Sequence, residues 1–230
     1  MKLIMNADDY GLTKGVSLGI IEACKRGLVR STTVLMNSPH MEEYALLAKE
    51  CSELGIGIHL NLTIRKPLTS CKTLVDDQGN FYRKPELVFT DKVDYEEVYQ
   101  EWKAQIEKFI EVFHQLPTHI DSHHHVHDYN EQAFEVSSRL AKEYGLVMRR
   151  HCDFEHVKGF YGDISKEVLL DLLMKYQDKD IEIMCHPAFV DLDLYRMSSY
   201  SIPRIKELAV ICDPEVIAFC EAHSIELTHF

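Results

Sequence analysis

The sequence predicts a single α/β domain, a distorted or incomplete TIM-like (β/α) barrel spanning residues 1–230. Three observations support it. Short apolar runs alternate with amphipathic helical stretches, the rhythm of a mostly parallel sheet. No Pro-, Gly- or Ser-rich linker divides the 230 residues. Ionisable and amide side chains gather just after successive apolar runs, and in a parallel sheet all such positions lie along one edge. An open doubly wound sheet is the alternative arrangement of the same elements.

"KLIMNA" (2–7) reads as the first buried strand, and "KGVSLGIIEACKRG" (14–27) as a helix. In that helix Val16, Ile20, Ile21 and Cys24 form one stripe and Gly27 is the stop. "STTVLMN" (31–37), then helix 41–53, then "GIGIHLNLT" (55–63) continue the alternation. Residues 64–95 interrupt it with Pro67, Gly79, Pro85 and a polar "DDQGN", a loop-rich excursion of the length usually tied to function. Helix 94–115 carries Val98, Trp102, Ile106, Phe109 and Ile110 on one face. Strands are then expected at 118–127, 146–151, 181–188 and 225–230, with helices at 130–144, 165–176, 202–211 and 213–223.

With 46% hydrophobic and 27% charged residues the chain can bury one sizeable core. A formal net charge of −12 disfavours nucleic acid or any other polyanion as a general partner, and a neutral or cationic ligand is expected. No run approaches the roughly 18 apolar residues of a membrane span. The seven cysteines are scattered without a CxxC pair, as expected of buried thiols in a reducing compartment. No signal sequence is evident at the N-terminus, so a cytoplasmic location is expected.

The strand ends carry the chemistry. Asp8 and Asp9 follow the first strand, Asn37 ends the second, and His59 lies near the end of the third. "DSHHHVH" ends the fourth, Arg149 and Arg150 the fifth, and His186 the sixth. In an extended segment His123, His125 and His127 share one face and His124 takes the other. Asp9, His59 and one histidine of that cluster make a two-His, one-carboxylate group, suited to a metal hydrolase or a non-haem iron oxygenase. The site-facing one of Arg149 and Arg150 is expected to orient substrate, and His125 and Asn37 stand with Arg149 as substrate-binding candidates. His186, before Pro187, is open to a role as general acid, ligand or structural residue. No Walker-type loop, GxGxxG after the first strand, GxSxG elbow or HExxH is present.

"NADDYG", "GIIEACKRGLVRSTTVLMN", "GIHLNLT", "PTHIDSHHHVH", "HPA" and "SSYSIPRIKEL", in this order over nearly the whole chain, closely resemble the YdjC-like carbohydrate deacetylases. The resemblance implies hydrolysis of an N-acetyl group from a small chitin-derived oligosaccharide with one divalent cation, usually magnesium. The donor set itself suits zinc or another transition metal better. It further implies Asp9, His59 and His123 as metal ligands and Asp8 as general base. A weaker transfer, from the broader polysaccharide deacetylases, makes His186 the general acid. It also admits a homodimer. Tyr10 stands where phenylalanine is commoner in the family. The adjacent carboxylates are expected to point to opposite sides of extended backbone, Asp9 gripping the cation and Asp8 facing its water. A different metal hydrolase or oxygenase, or a non-catalytic sugar-binding protein, is the alternative.

Overall fold

The central strand β1 (Lys2–Tyr10) is buried from Leu3 onward and paired on both sides. The computed structural model describes residues 1–230. The other strands are β2 (Ser31–Val34), β3 (Gly55–Leu60), β4 (His119–Ser122), β5 (Val147–Met148), β6 (Glu155–Val157), β7 (Ile181–Cys185) and β8 (Glu226–Thr228). The helices are α1 (Lys14–Arg26), α2 (Met41–Ala48), a one-turn α3 (Pro85–Val88), α4 (Tyr95–Phe113) and α5 (Glu131–Tyr144). They continue as α6 (Lys166–Lys175), α7 (Leu192–Met197), α8 (Ile202–Ile211) and α9 (Pro214–Ala222). The sheet runs β5-β4-β3-β2-β1-β7-β6, with β8 beside the first half of β1. Every pairing in it is parallel. Strands β5 and β6 end the path, so the barrel is incomplete, as the sequence predicts.

Local signals set the helix limits. Thr13 Oγ1 caps α1 by accepting from Val16 N–H, and Lys25 and Arg26 sit in its last turn, where cations suit the helix dipole. Asp94 caps α4, which buries Val98, Trp102, Ile106 and Phe109, the stripe read from the sequence. Asn130 caps α5, and Gly145 ends it in the left-handed conformation.

Several elements depart from expectation, the one-turn α3 and the short α7 among them. The fourth strand stops at Ser122, and His123–Asp128 forms a 3-10 turn with His124 and His125 at positive φ. The segment 146–151 contributes only two strand residues, because Arg150 turns back at φ 65°. Strand β6 was missed, being three residues long with only Val157 fully buried. Helix α2 ends at Ala48 rather than 53. The excursion 64–95 is pinned to α4: Glu101 accepts from the backbone N–H of Leu68 and Thr69, and Glu97 from that of Lys72 and Thr73.

One close approach fixes the far wall of the barrel. A Cβ on Gly19 of α1 would lie 2.4 Å from Ala188 Cα and 2.6 Å from Phe189 N, in the segment that follows His186. We expect Gly19→Ala to destabilise by about 1–3 kcal/mol through overpacking. That exceeds the ~1 kcal/mol gain in helix propensity. A urea midpoint at or above that of the wild type would show that the helix is free to move away.

Candidate active site

The interior of this barrel is polar. Asn6, Asp8, Thr33, His59, Asp121, Arg149 and Glu182 are all buried and joined in one network. Arg149 is its hub: Nη1 donates to Asp8 Oδ1 at 2.8 Å and to Asp121 Oδ2 at 2.6 Å, and Nε donates to Glu182 Oε1 at 2.9 Å. Asn6 Nδ2 donates to Asp8 Oδ1 at 2.8 Å, and His156 Nδ1 lies 2.5 Å from Glu182 Oε2. Burial works against the charge of Arg149, but Asp121, Asp8 and Glu182 hold it firmly protonated. Burial likewise opposes ionisation of Asp121, yet Arg149 and His59 depress its pKa well below the usual range. Asp8 goes the other way: burial outweighs Arg149 and raises its carboxyl to about 7.

Above this network lie Asp9, His59 and His123, whose donor atoms fall within 4.8 Å of one another. Asp9 Oδ1 is 3.3 Å from His59 Nε2 and 2.8 Å from His123 Nδ1. Arg204 Nη2 donates to Asp9 Oδ2 at 2.6 Å and leaves Oδ1 facing the imidazoles. The other ring nitrogen of His59, Nδ1, is 2.9 Å from Thr33 Oγ1 and 3.3 Å from Asp121 Oδ2. Such an outer anchor, with Asp121 as the acceptor, is what orients a metal-binding histidine. Although burial disfavours its charge, hydrogen bonds to Asp121 and Asp9 raise the pKa of His59 to about 10. Two ring nitrogens and one carboxylate oxygen converge here, the donor set of a transition-metal site. The residues fit a divalent cation.

The adjacent carboxylates do not separate by simple strand alternation. The pairing of β1 with β2 steps from Ala7↔Thr32 to Tyr10↔Val34, one extra residue on β1, and Asp9 takes φ 74°. This β-bulge lets Asp8 and Asp9 both face the cleft. The left-handed backbone costs about 1–2 kcal/mol in a residue with a Cβ, least in Asp and Asn.

His186 follows β7 and carries Nε2 to 3.9 Å from Asp8 Oδ2. Its backbone N–H donates to Glu207, which also accepts from Tyr200 Oη at 2.5 Å. Burial lowers the pKa of His186 well below its usual value, so the ring rests neutral and becomes an acid only after gaining a proton. Tyr161 stacks on Tyr200 at 4.7 Å between ring centroids and keeps half its surface exposed beside His186.

The remaining candidates sit elsewhere. Arg149 is 1% exposed and committed to three carboxylates, so it braces Asp8 instead of meeting substrate. Asn37 lies beyond the end of β2, and its Nδ2 donates to the carbonyls of Ile64 and Lys66, anchoring the excursion. His125 lines the cleft, but the positive φ values at His124 and His125 break the alternation expected of an extended segment. His127 turns under the sheet edge to Ser122 Oγ, 2.6 Å away. The sequence reading did not assign Arg204, Glu182, Thr33 or Glu207. Glu182 had a signal, a lone acid in the buried run "IEIMC"; Arg204 and Glu207 lie in "SSYSIPRIKEL", which resembles the family without pointing to a role for either.

The cleft holds about 1240 Å³ at the carboxyl edge of the strands. Its walls include Asp76, Tyr82, Arg83 and Leu87 of the excursion and Lys158 and Tyr161 opposite. Arg83 and Lys158 are exposed, so the rim carries positive charge despite the net −12 of the chain.

Fold and site together define an incomplete parallel barrel with a metal-competent Asp–His–His centre. The chain belongs to the YdjC-like family: the family model, described as YdjC-like protein, matches residues 2–222. A carbohydrate deacetylase of Clostridium beijerinckii is 43% identical over 246 residues, covering 100% of this chain and 99% of its own. A solved structure from Enterococcus faecalis, provisionally described as a cellobiose-phosphate cleavage protein, is 39% identical, with a TM-score of 0.91 over 99% of this chain and 97% of its own. A Streptococcus mutans CE4 esterase shares the fold at 9% identity, with a TM-score of 0.59 over 99% of this chain and 85% of its own.

Arg149→Met should cost about 3–5 kcal/mol, because it strands Asp8, Asp121 and Glu182 as buried acids. Urea unfolding measures this. A loss under ~1 kcal/mol would mean that the carboxylates share protons without the guanidinium.

Proposed function

We infer that the protein is a metal-dependent deacetylase that removes N-acetyl groups from small chitin-derived oligosaccharides. The observation that carries this reading is the convergence of Asp9, His59 and His123 beside Asp8 at the floor of the cleft. It is supported by relatives such as the carbohydrate deacetylase of C. beijerinckii. Asp9, His59 and His123 would hold a divalent cation, which when bound would supply Lewis-acid polarisation of a carbonyl and acidify water. Two imidazoles and one carboxylate favour a zinc-like ion over magnesium.

Asp8 is the base. Arg149 Nη1 donates to both of its oxygens, to Oδ1 at 2.8 Å and to Oδ2 at 3.0 Å, and Asn6 adds a bond to Oδ1, so the cleft side of Oδ2 keeps a lone pair for the proton of the attacking water. His186 Nε2, 3.9 Å from that oxygen, takes up the proton and delivers it to the departing amine nitrogen. Arg204 holds Asp9 in register throughout. The exposed face of Tyr161 offers a sugar ring an apolar surface near the reacting group. His125 borders the same cleft and contacts the sugar beyond it. The seven free thiols accord with a cytoplasmic location.

A phosphorylated sugar is a second substrate reading. It is favoured by exposed Arg83 and Lys158 at the rim and by the description of the E. faecalis relative.

The test is acetate release from diacetylchitobiose, free and phosphorylated, after chelation and return of magnesium, zinc, cobalt or manganese. Asp8→Asn should keep the bound metal and lower turnover by on the order of 10²–10⁴. Asp9→Asn should lose the metal. The reverse pattern would exchange the two roles, and oxygen uptake in place of acetate release would defeat the deacetylase reading.

A further inference from the structure

We propose that His127, Asp128 and His151 form a second metal site, suited to zinc and separate from the Asp9–His59–His123 group. Their donor atoms lie within 4.8 Å of one another. Asp128 Oδ2 is 3.9 Å from His127 Nε2 and 3.8 Å from His151 Nε2, too far for hydrogen bonds in either case. Tetrahedral zinc, with bonds of about 2.0–2.1 Å, sets neighbouring donors roughly 3.4 Å apart. The two Asp128–histidine separations therefore have about half an ångström to close, within the reach of small rotamer adjustments.

The independent observation is His127 itself. Its side chain is fully buried, and Nε2 has no hydrogen-bond partner. A buried ring nitrogen with no partner in the protein is satisfied by an ion or a water. Its Nδ1 is held by Ser122 Oγ at 2.6 Å, which fixes the ring with Nε2 toward Asp128. Burial keeps the imidazole neutral, the form that ligates.

The outer contacts are those of a metal site. Arg150 Nη2 donates to Asp128 Oδ1 at 3.0 Å, so the carboxylate is oriented while Oδ2 stays free. Phe134 packs 4.7 Å from the His151 ring and walls one side. His151 is 39% exposed and gives an ion its way in. The Arg150 pair alone accounts for Asp128, but it leaves His127 Nε2 without a function.

Occupation would tie the 3-10 turn, which carries His123 and His125, to the turn after β5, which carries Arg149 and Arg150. Zinc here braces the floor of the cleft and does not touch substrate.

Equilibrium dialysis of the full chain against zinc, with the metal counted by mass spectrometry, tests the proposal. The wild type should bind two ions, His151→Ala one, Asp9→Asn one, and the double variant none. Zinc should raise the Tm of the wild type by several degrees more than that of His151→Ala, on the order of 5 °C. His151→Ala should keep acetate release within about twofold. Asp128→Asn is the second variant and should match His151→Ala in zinc count. A zinc count that both His151→Ala and Asp128→Asn leave unchanged from the wild type would overturn the site. An unchanged count in Asp9→Asn alone would instead defeat the catalytic metal reading, so the two can fail separately.

Discussion

A single buried guanidinium holds the centre of this barrel together. Arg149 lies among Asp8, Asp121 and Glu182, and each of those acids in turn positions something else. Asp121 anchors His59, Glu182 anchors His156, and Asp8 faces His186. Taking charges out of water costs several kcal/mol per ion unless they are paired and fully hydrogen-bonded. Arginine suits the task because its planar fork reaches several acceptors and does not deprotonate. The cleft thus rests on a guanidinium buried beneath it.

Much of the fold was legible because it depends on periodicity. The α1 and α4 stripes and the buried β1 follow from the spacing of apolar residues. The three-residue β6 was not legible and β5 was placed but overextended, since two or three residues carry no period and their pairing depends on neighbours far along the chain. The histidine tract shows the same limit. Alternation assumes extended backbone, and the two left-handed residues His124 and His125 break it.

The site was legible in its donors and illegible in their partners. Asp8, Asp9, His59, His123 and His186 line the cleft because strand ends of a parallel sheet share an edge. Whether an arginine meets substrate or braces a carboxylate is a question of burial, and Arg149 and Arg150, adjacent in sequence, differ in that respect. Arg204 reaches Asp9 across 195 positions of chain, a contact that only the closed fold creates. The likeness to a CE4 esterase at 9% identity makes the complementary point, that very different sequences satisfy the same barrel.

The bulge at Asp9 has a consequence for how this chain can vary. Position 9 must satisfy two demands at once: a short acidic oxygen for the centre and ease in left-handed backbone. Glycine or asparagine meets the second demand without the charge. Glutamate keeps the charge but is longer and less at ease in that conformation. Nor can the acid migrate to a neighbouring position, because the extra residue that turns it inward would have to migrate with it. Backbone shape and donor are therefore inherited as one unit, and a lineage that lost either would be under little pressure to keep the other.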